Sequence, residues 1–205
     1  MKSFLIRPAL ALALAAGIAG CGGSDKAEFT VGGTVYNLLY PGLKLTTNGT
    51  TIDVAPPAKA GDQTSFAFPN KLEYGDEYNV QITGQPLHQD CTLASNYPTN
   101  ADTAGRLAQI AIPYSCVLQT HTIGGAISGL TVAGLVLANG STGGTVAPAK
   151  DATSYAFSLP VEYKQTYGVT VLTQPAGLTC RVSNPTGTMD DVNITNINVV
   201  CAPNT

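Results

Sequence analysis

One stretch of this chain occurs twice, and it limits the fold more than any other feature. The first copy begins at Tyr78, has Val80 and Ile82 at alternate positions, turns at Gln85-Pro86 and reaches Cys91. The second begins at Tyr167, has Val169 and Val171, turns at Gln174-Pro175 and reaches Cys180 after the same interval. Apolar side chains at every second position describe a strand with one buried face. Proline ends it, because it has no amide hydrogen for a ladder. Further matches flank the unit in the same order. Gly32-Gly33 corresponds to Gly124-Gly125, Asn48-Gly49 to Asn139-Gly140, and Phe66 with Phe68 to Tyr155 with Phe157. Leu72 and Tyr74 likewise correspond to Val161 and Tyr163.

These matches define two repeats, residues 29–117 and 121–202. Short apolar runs punctuated by Gly, Pro and Asn predict strands, and the fold class expected is all-β, with two tandem immunoglobulin-like sandwiches. The glycine pairs mark a bulge or a close approach of backbones. Asn-Gly after a short strand is a hairpin signal. The last strand is expected over positions 192–201 in the second repeat, and over 107–112, broken by Pro113, in the first. No helical periodicity is sustained, and only positions 100–109 could form a helical turn. Each repeat holds two cysteines, and each must close by itself, so the pairs expected are Cys91–Cys116 and Cys180–Cys201, joining neighbouring strands. Loops of this size stabilise by roughly 3–3.5 kcal/mol in the chain-entropy account, which matters in domains this small.

Positions 1–20 read as an export signal: Lys2 and Arg7, then an apolar run from Ala9 to Ile18 that is too short to span a bilayer. The run closes on Ile18-Ala19-Gly20-Cys21, which resembles the lipobox of bacterial lipoproteins. The resemblance implies cleavage between Gly20 and Cys21, and acylation of Cys21 (palmitate among the chains) as a durable anchor. Residues 21–28 then form the lipidated cysteine and a polar tether. Gly22 resembles the residue of enterobacterial lipoproteins sorted to the outer membrane. The localisation expected is therefore the outer membrane of a Gram-negative cell, facing the periplasm or the exterior. Export to an oxidising compartment agrees with the paired cysteines.

Around Tyr78 and Tyr167 the chain resembles the sixth strand of fibronectin type III and immunoglobulin-like domains. The resemblance makes these two the tyrosine-corner residues, whose hydroxyls would bond to upstream backbone. The chain has no tryptophan and no cross-sheet cysteine pair around one, so it departs from true immunoglobulin domains. Fibronectin III, transthyretin-like and other seven-stranded orders all stay open. Over residues 29–202 it resembles a tandem repeat of proteobacterial surface and periplasmic lipoproteins. That resemblance implies a spacer or presentation module and carries over no catalytic residue.

Chemistry is sparse. Loss of Lys2 and Arg7 takes the formal net charge from −3 to −5 and leaves the remaining basic residues scattered. Nucleic acid is thereby excluded as a partner. No HExxH, CxxC, EF-hand or Gly-x-Ser-x-Gly motif is present. His88 lies in the loop between Pro86 and Cys91, where the second repeat has Gly177, and reads as a solvated loop histidine; His121 has no catalytic neighbours. Asp190 and Asp191 with Asn193 could face calcium, but two acids in a turn read first as solvated. No catalytic residue, metal site or cofactor is expected, and the protein is not read as an enzyme. The expectation is a structural, presentation or adhesion module held to the membrane by its lipid, with a protein or glycan partner. The alternative is a glycan- or peptide-binding lipoprotein using Tyr36, Tyr40 and Tyr97 as a weak binding face.

Overall fold

The computed structural model describes residues 27–107 and 109–204. The signal segment, the cleavage position at Gly20 and the anchor at Cys21 lie outside the described residues. The first repeat contains β1 (Glu28–Tyr36), β2 (Leu43–Thr47), β3 (Thr50–Val54), β4 (Thr64–Glu73), β5 (Glu77–Asn79), β6 (Gln81–Gly84), β7 (Gln89–Leu93), β8 (Ala101–Thr103) and β9 (Ile110–Leu118). The second contains β10 (Thr120–His121), β11 (Gly124–Ser128), β12 (Val136–Asn139), β13 (Thr145–Val146), β14 (Ser154–Ala156), β15 (Val161–Glu162), β16 (Thr166–Thr173), β17 (Leu178–Val182), β18 (Thr186–Thr188) and β19 (Val199–Pro203). No helix occurs among the described residues. The described part of the expected helical stretch, 100–107, forms β8 and a turn.

Each repeat is a two-layered sandwich. The sheets are β4-β1-β9-β7 over β3-β2-β6, and β14-β11-β19-β17 over β13-β12-β16-β18. β1 and β11 lie inside their sheets and run parallel to the last strands of their repeats, β9 and β19. An immunoglobulin constant domain groups strands one, two, four and five against three, six and seven. These sandwiches therefore have the immunoglobulin-like two-layer plan with a strand order that differs from the constant-domain grouping. Two separate clusters of buried side chains fill them. Val31, Leu43, Leu45, Val80 and Ile112 belong to one, and Ile123, Leu135, Leu137, Met189 and Ile197 to the other.

The repeated stretch has a specific purpose. In both copies the glutamine before the proline clamps the backbone of the first cysteine. Gln85 Oε1 accepts from the Cys91 N–H at 2.8 Å, and its Nε2 donates to the Cys91 carbonyl at 3.0 Å. Gln174 does the same for Cys180, at 2.7 and 3.0 Å. β7 and β17 are edge strands, whose outer amides would otherwise face solvent unpaired. The disulfides form as the sequence predicts, Cys91–Cys116 and Cys180–Cys201. Both join directly opposed residues of neighbouring antiparallel strands. The glycine pairs do bring backbones together: a Cβ on Gly33 would fall 1.9 Å from the Ile112 carbonyl, and one on Gly125 2.0 Å from that of Ile197.

Four local expectations need correction. Asn48-Gly49 makes the expected tight turn, with φ of 47° and 77°, but Asn139-Gly140 does not. Asn139 is buried and its Oδ1 accepts from the Gly168 N–H at 2.9 Å, so the loop to β13 is longer. Pro113 does not break β9. Its nitrogen points to the side where β7 has already ended, and its carbonyl still accepts from Ala94 N–H. The second repeat's last strand is regular only from Val199. Before it, backbone bonds from Ile194 to Thr122 and from Ile197 to Gly124 alternate with asparagine side-chain bonds: Asn193 and Asn198 take the N–H groups of Thr122 and Ala126, while Asn184 donates to the Asn196 carbonyl. The tyrosine corner is occupied differently as well. Tyr78 is buried in the first core and Tyr167 packs beside the second. The hydroxyl bonds to buried backbone come from Tyr114 (to Val80 O, 2.6 Å) and Tyr155 (to Ile197 O, 2.8 Å). A phenol can make that bond from any strand that aims it at a carbonyl, so alternation alone could not choose.

Candidate functional site at the junction of the repeats

Each sandwich has two ends. At the head, the first strand begins, beside the turn carrying Tyr74 or Tyr163. At the tail, the last strand finishes, beside the loop carrying His88 or Gly177. β9 leaves the tail of the first repeat and passes through β10 to the head of the second, where β10 pairs with β15.

The tail of the first repeat is built around Gln89, which is 1% exposed. Its Oε1 accepts from the N–H groups of Leu39 and Tyr40 at 2.7 and 3.1 Å, and its Nε2 donates to the Asn37 carbonyl at 2.8 Å. One buried amide thus holds residues 37–40 and aims Tyr40 at its neighbour His88. His88 stands at a positive φ of 60°, and its carbonyl accepts from Gln119 N–H. Its side chain crosses to the second repeat. Nδ1 donates to the Asp191 carboxylate, 2.7 and 2.8 Å from the two oxygens. The imidazole lies flat on the Tyr163 ring, with centroids 3.9 Å apart and planes within 4°, and Nε2 is 3.2 Å from the Tyr163 hydroxyl. Tyr40 meets both rings edge-on, at 4.8 and 5.7 Å. Lys164 Nζ sits 5.0 Å from the Tyr163 centroid, within cation–π range. Aromatic pairs contribute about 0.5–1.5 kcal/mol beyond their buried area, and a hydrogen bond such as that of His88 to Asp191 about 0.5–1.5 kcal/mol.

His88 is therefore not a solvated loop residue. Asp191 is engaged by it and Asn193 by Thr122, so neither is held open for calcium. Among the described residues, no three His, Cys, Asp or Glu side chains gather in one place. His121, the other histidine, lies in β10 at the same junction, its Nε2 buried without a hydrogen-bond partner. The three tyrosines expected to share a binding face do not. Tyr36 is exposed at the end of β1, Tyr40 is in the junction, and Tyr97 packs on the first core. A surface groove of about 620 Å³ beside residues 139–143 is lined by Ser141, Thr142, Gln165 and Tyr167, with no histidine, cysteine or carboxylate. Gln89, Gln119 and Lys164 were missed in the sequence, and Tyr163 and Asp191, noted there for other reasons, were not placed at the junction. Their signal was a mismatch between copies at turn positions: His88 stands where the second repeat has Gly177, and Lys164 where the first has Gly75.

No family model and no curated protein matches the chain. Among solved structures, the TIE protein of Bacillus anthracis aligns over 84% of this chain at 11% identity with a TM-score of 0.46. This chain spans about a third (34%) of that protein's length. The shaft pilin SpaA of Lactobacillus rhamnosus GG aligns over 87% of this chain and 99% of its own, at 11% identity and a TM-score of 0.31. A single B repeat unit of the collagen-binding surface protein of Staphylococcus aureus aligns over 87% and 100%, at 13% identity and a TM-score of 0.30.

Proposed function

We propose that this chain is a non-catalytic spacer of the bacterial cell envelope, anchored through acylated Cys21, whose two sandwiches are held end to end to present a surface away from the membrane. The observation that carries the reading is the His88 junction. A flexible pair of modules would not need an imidazole stacked and hydrogen-bonded across the boundary, set at a backbone angle that favours glycine. The cross-strand disulfides support it, since an exported spacer works in an oxidising compartment. Presentation to a protein partner is favoured over glycan binding, because Tyr36, Tyr40 and Tyr97 stand in three different surroundings.

Residual dipolar couplings of the exported two-repeat protein test the reading. The expected result is one alignment tensor for both repeats in the wild type and two in His88→Ala. Independent tensors in the wild type would remove the basis for a rigid spacer. Protease accessibility on intact and permeabilised cells would then show whether the sandwiches face the exterior or the periplasm.

A further inference from the structure

The face that Tyr163 offers to the first repeat exists a second time, uncovered, at the head of the first repeat. The backbone fixes the correspondence. Gly75 N–H donates to Ala104 and Ala104 N–H to Asp76, as Lys164 donates to Met189 and Met189 to Gln165. Tyr74 thus occupies the Tyr163 position and Arg106 the Asp191 position. Yet Tyr163 is 6% exposed and Tyr74 is 76% exposed. The Tyr74 ring lies against Gly105, where a Cβ would come within 2.2 Å of it. Arg106 and Leu107 follow directly, both with exposed side chains. An aromatic ring, an aliphatic side chain and a guanidinium therefore share the end at which β1 begins.

We propose that this face rests on the headgroup layer of the bilayer that holds the Cys21 acyl chains, an inference that rests on the anchoring reading above. Reach is the first argument. From Cys21 to Glu28 the chain advances seven residues, at most about 25 Å when fully extended. A strand the length of β1 is already about 30 Å long, so another sandwich of this kind cannot stand end-on in that gap. The bilayer surface is what remains within range. Side-chain chemistry is the second argument. Tyrosine suits an environment with one apolar and one wet side, leucine adds apolar area, and arginine keeps its charge in water while its stem lies along apolar surface. Charge selects the lipid. Lys71 is paired with Glu28 and Arg106 with Asp102, while Asp76 adds a carboxylate, so the end has no cationic excess and suits a zwitterionic surface. A second copy is a poorer occupant: its free tail has Val132 and Gly177 where the junction uses Tyr40 and His88. The tether makes a weak face sufficient, since it supplies the local concentration.

The chain has no tryptophan, so Tyr74→Trp creates a lone reporter. The full acylated protein would be placed on phosphatidylcholine vesicles with brominated acyl chains. The expected result is loss of Tyr74→Trp emission, with Leu107→Trp behaving alike and Leu172→Trp in the second repeat staying bright. Inserting about ten Gly/Ser residues after Gly23 should restore the emission, since a coil of that length relaxes the reach. Undiminished Tyr74→Trp emission in protein that floats with the vesicles and carries acyl mass at Cys21 overturns the proposal and leaves the anchor intact. Absence of acyl mass overturns both. Protection from iodide without bromine quenching also overturns it, in favour of a protein cover.

Discussion

His88 and Gly177 stand at the same place in the two repeats and do the same backbone work. Each has a positive φ, 60° and 75°, and each carbonyl accepts from the N–H that follows the last strand, Gln119 or Asn204. Only one of them needs a side chain. A non-glycine residue in this conformation costs about 1–2 kcal/mol, and the first repeat bears that cost where it meets the second. The opposing face repeats the pattern: Lys164 has a φ of 68°, and its counterpart Gly75, on a face that meets no sandwich of this chain among the described residues, is glycine at 93°. Turn positions that are glycine in one copy and a functional side chain in the other mark where the sandwiches touch.

The largest expected effect separates the two tails through their disulfides. Cys91–Cys116 braces the strand ends that carry His88 and Gln119, and Cys180–Cys201 braces the tail that carries no junction. Replacing either pair with alanine should lower the stability of its own repeat by roughly 3 kcal/mol, read as one shifted transition in denaturant unfolding. Only loss of the first pair should also release the alignment between repeats. If both losses leave alignment equal, the distinction drawn between the tails is wrong.

Next come the two buried phenols, one per copy. Burial pushes Tyr114 and Tyr155 up to about 12. An unfolded tyrosine ionises near 10, so between these values the unfolded chain binds fewer protons than the folded one. Stability is therefore full below about pH 10 and falls as pH rises through about 12. Tyr155→Phe should cost about 1–3 kcal/mol at neutral pH and flatten the alkaline loss of the second repeat alone. Tyr114→Phe should cost less, because Asn100 Nδ2 also donates to the Val80 carbonyl. Equal alkaline slopes in wild type and Phe variants would contradict this assignment.

His88→Ala should weaken the coupling by about 1–2 kcal/mol and Asp191→Asn by less, about 0.5–1 kcal/mol, since the stacking on Tyr163 stays; the double variant should cost little more than His88→Ala alone. Additive losses in that cycle would mean the two side chains act separately. The smallest effect on the coupling is expected from Gly177→His. It should destabilise the second repeat by about 1 kcal/mol and gain nothing, since no Tyr163 faces it.

Much of the skeleton could be read from the chain. The alternation around Val169, the Gln-Pro stop and the cysteine spacing lead directly to strands and cross-strand disulfides, because each signal is local; around Val80 the same alternation is split, β5 ending at Asn79 and β6 starting at Gln81, since the Val80 N–H turns to the Asn100 carbonyl. Strand order could not be read so, as it depends on which edges meet after collapse; the parallel partner of β1 lies some eighty positions on, at Ile110 to Ser115. The regular pattern over 192–198 misled because the side chains of Asn193 and Asn198 take backbone N–H groups between the backbone bonds of Ile194 and Ile197, which leaves the strand irregular there. His88 misled for a related reason. Its partners Tyr163 and Asp191 are 75 and 103 positions away, and a lone histidine in a loop gives no hint of them.

The parallel pairing of first and last strands also decides how the molecule bears tension. A pull between a membrane anchor and a bound partner would enter each sandwich at the start of its first strand and leave at the end of its last. Because those strands run side by side in one direction, the force slides them past each other and strains their bonds together instead of peeling them singly. The first repeat opposes this with six registered residue pairs, from Val31↔Ile110 to Tyr36↔Ser115. The second has two, Ile127↔Val199 and Ser128↔Val200, and one isolated bridge at Ile123↔Ile194. Under load the second sandwich should yield before the first, as two steps in single-molecule pulling would reveal, so that the first repeat stays folded while the second extends.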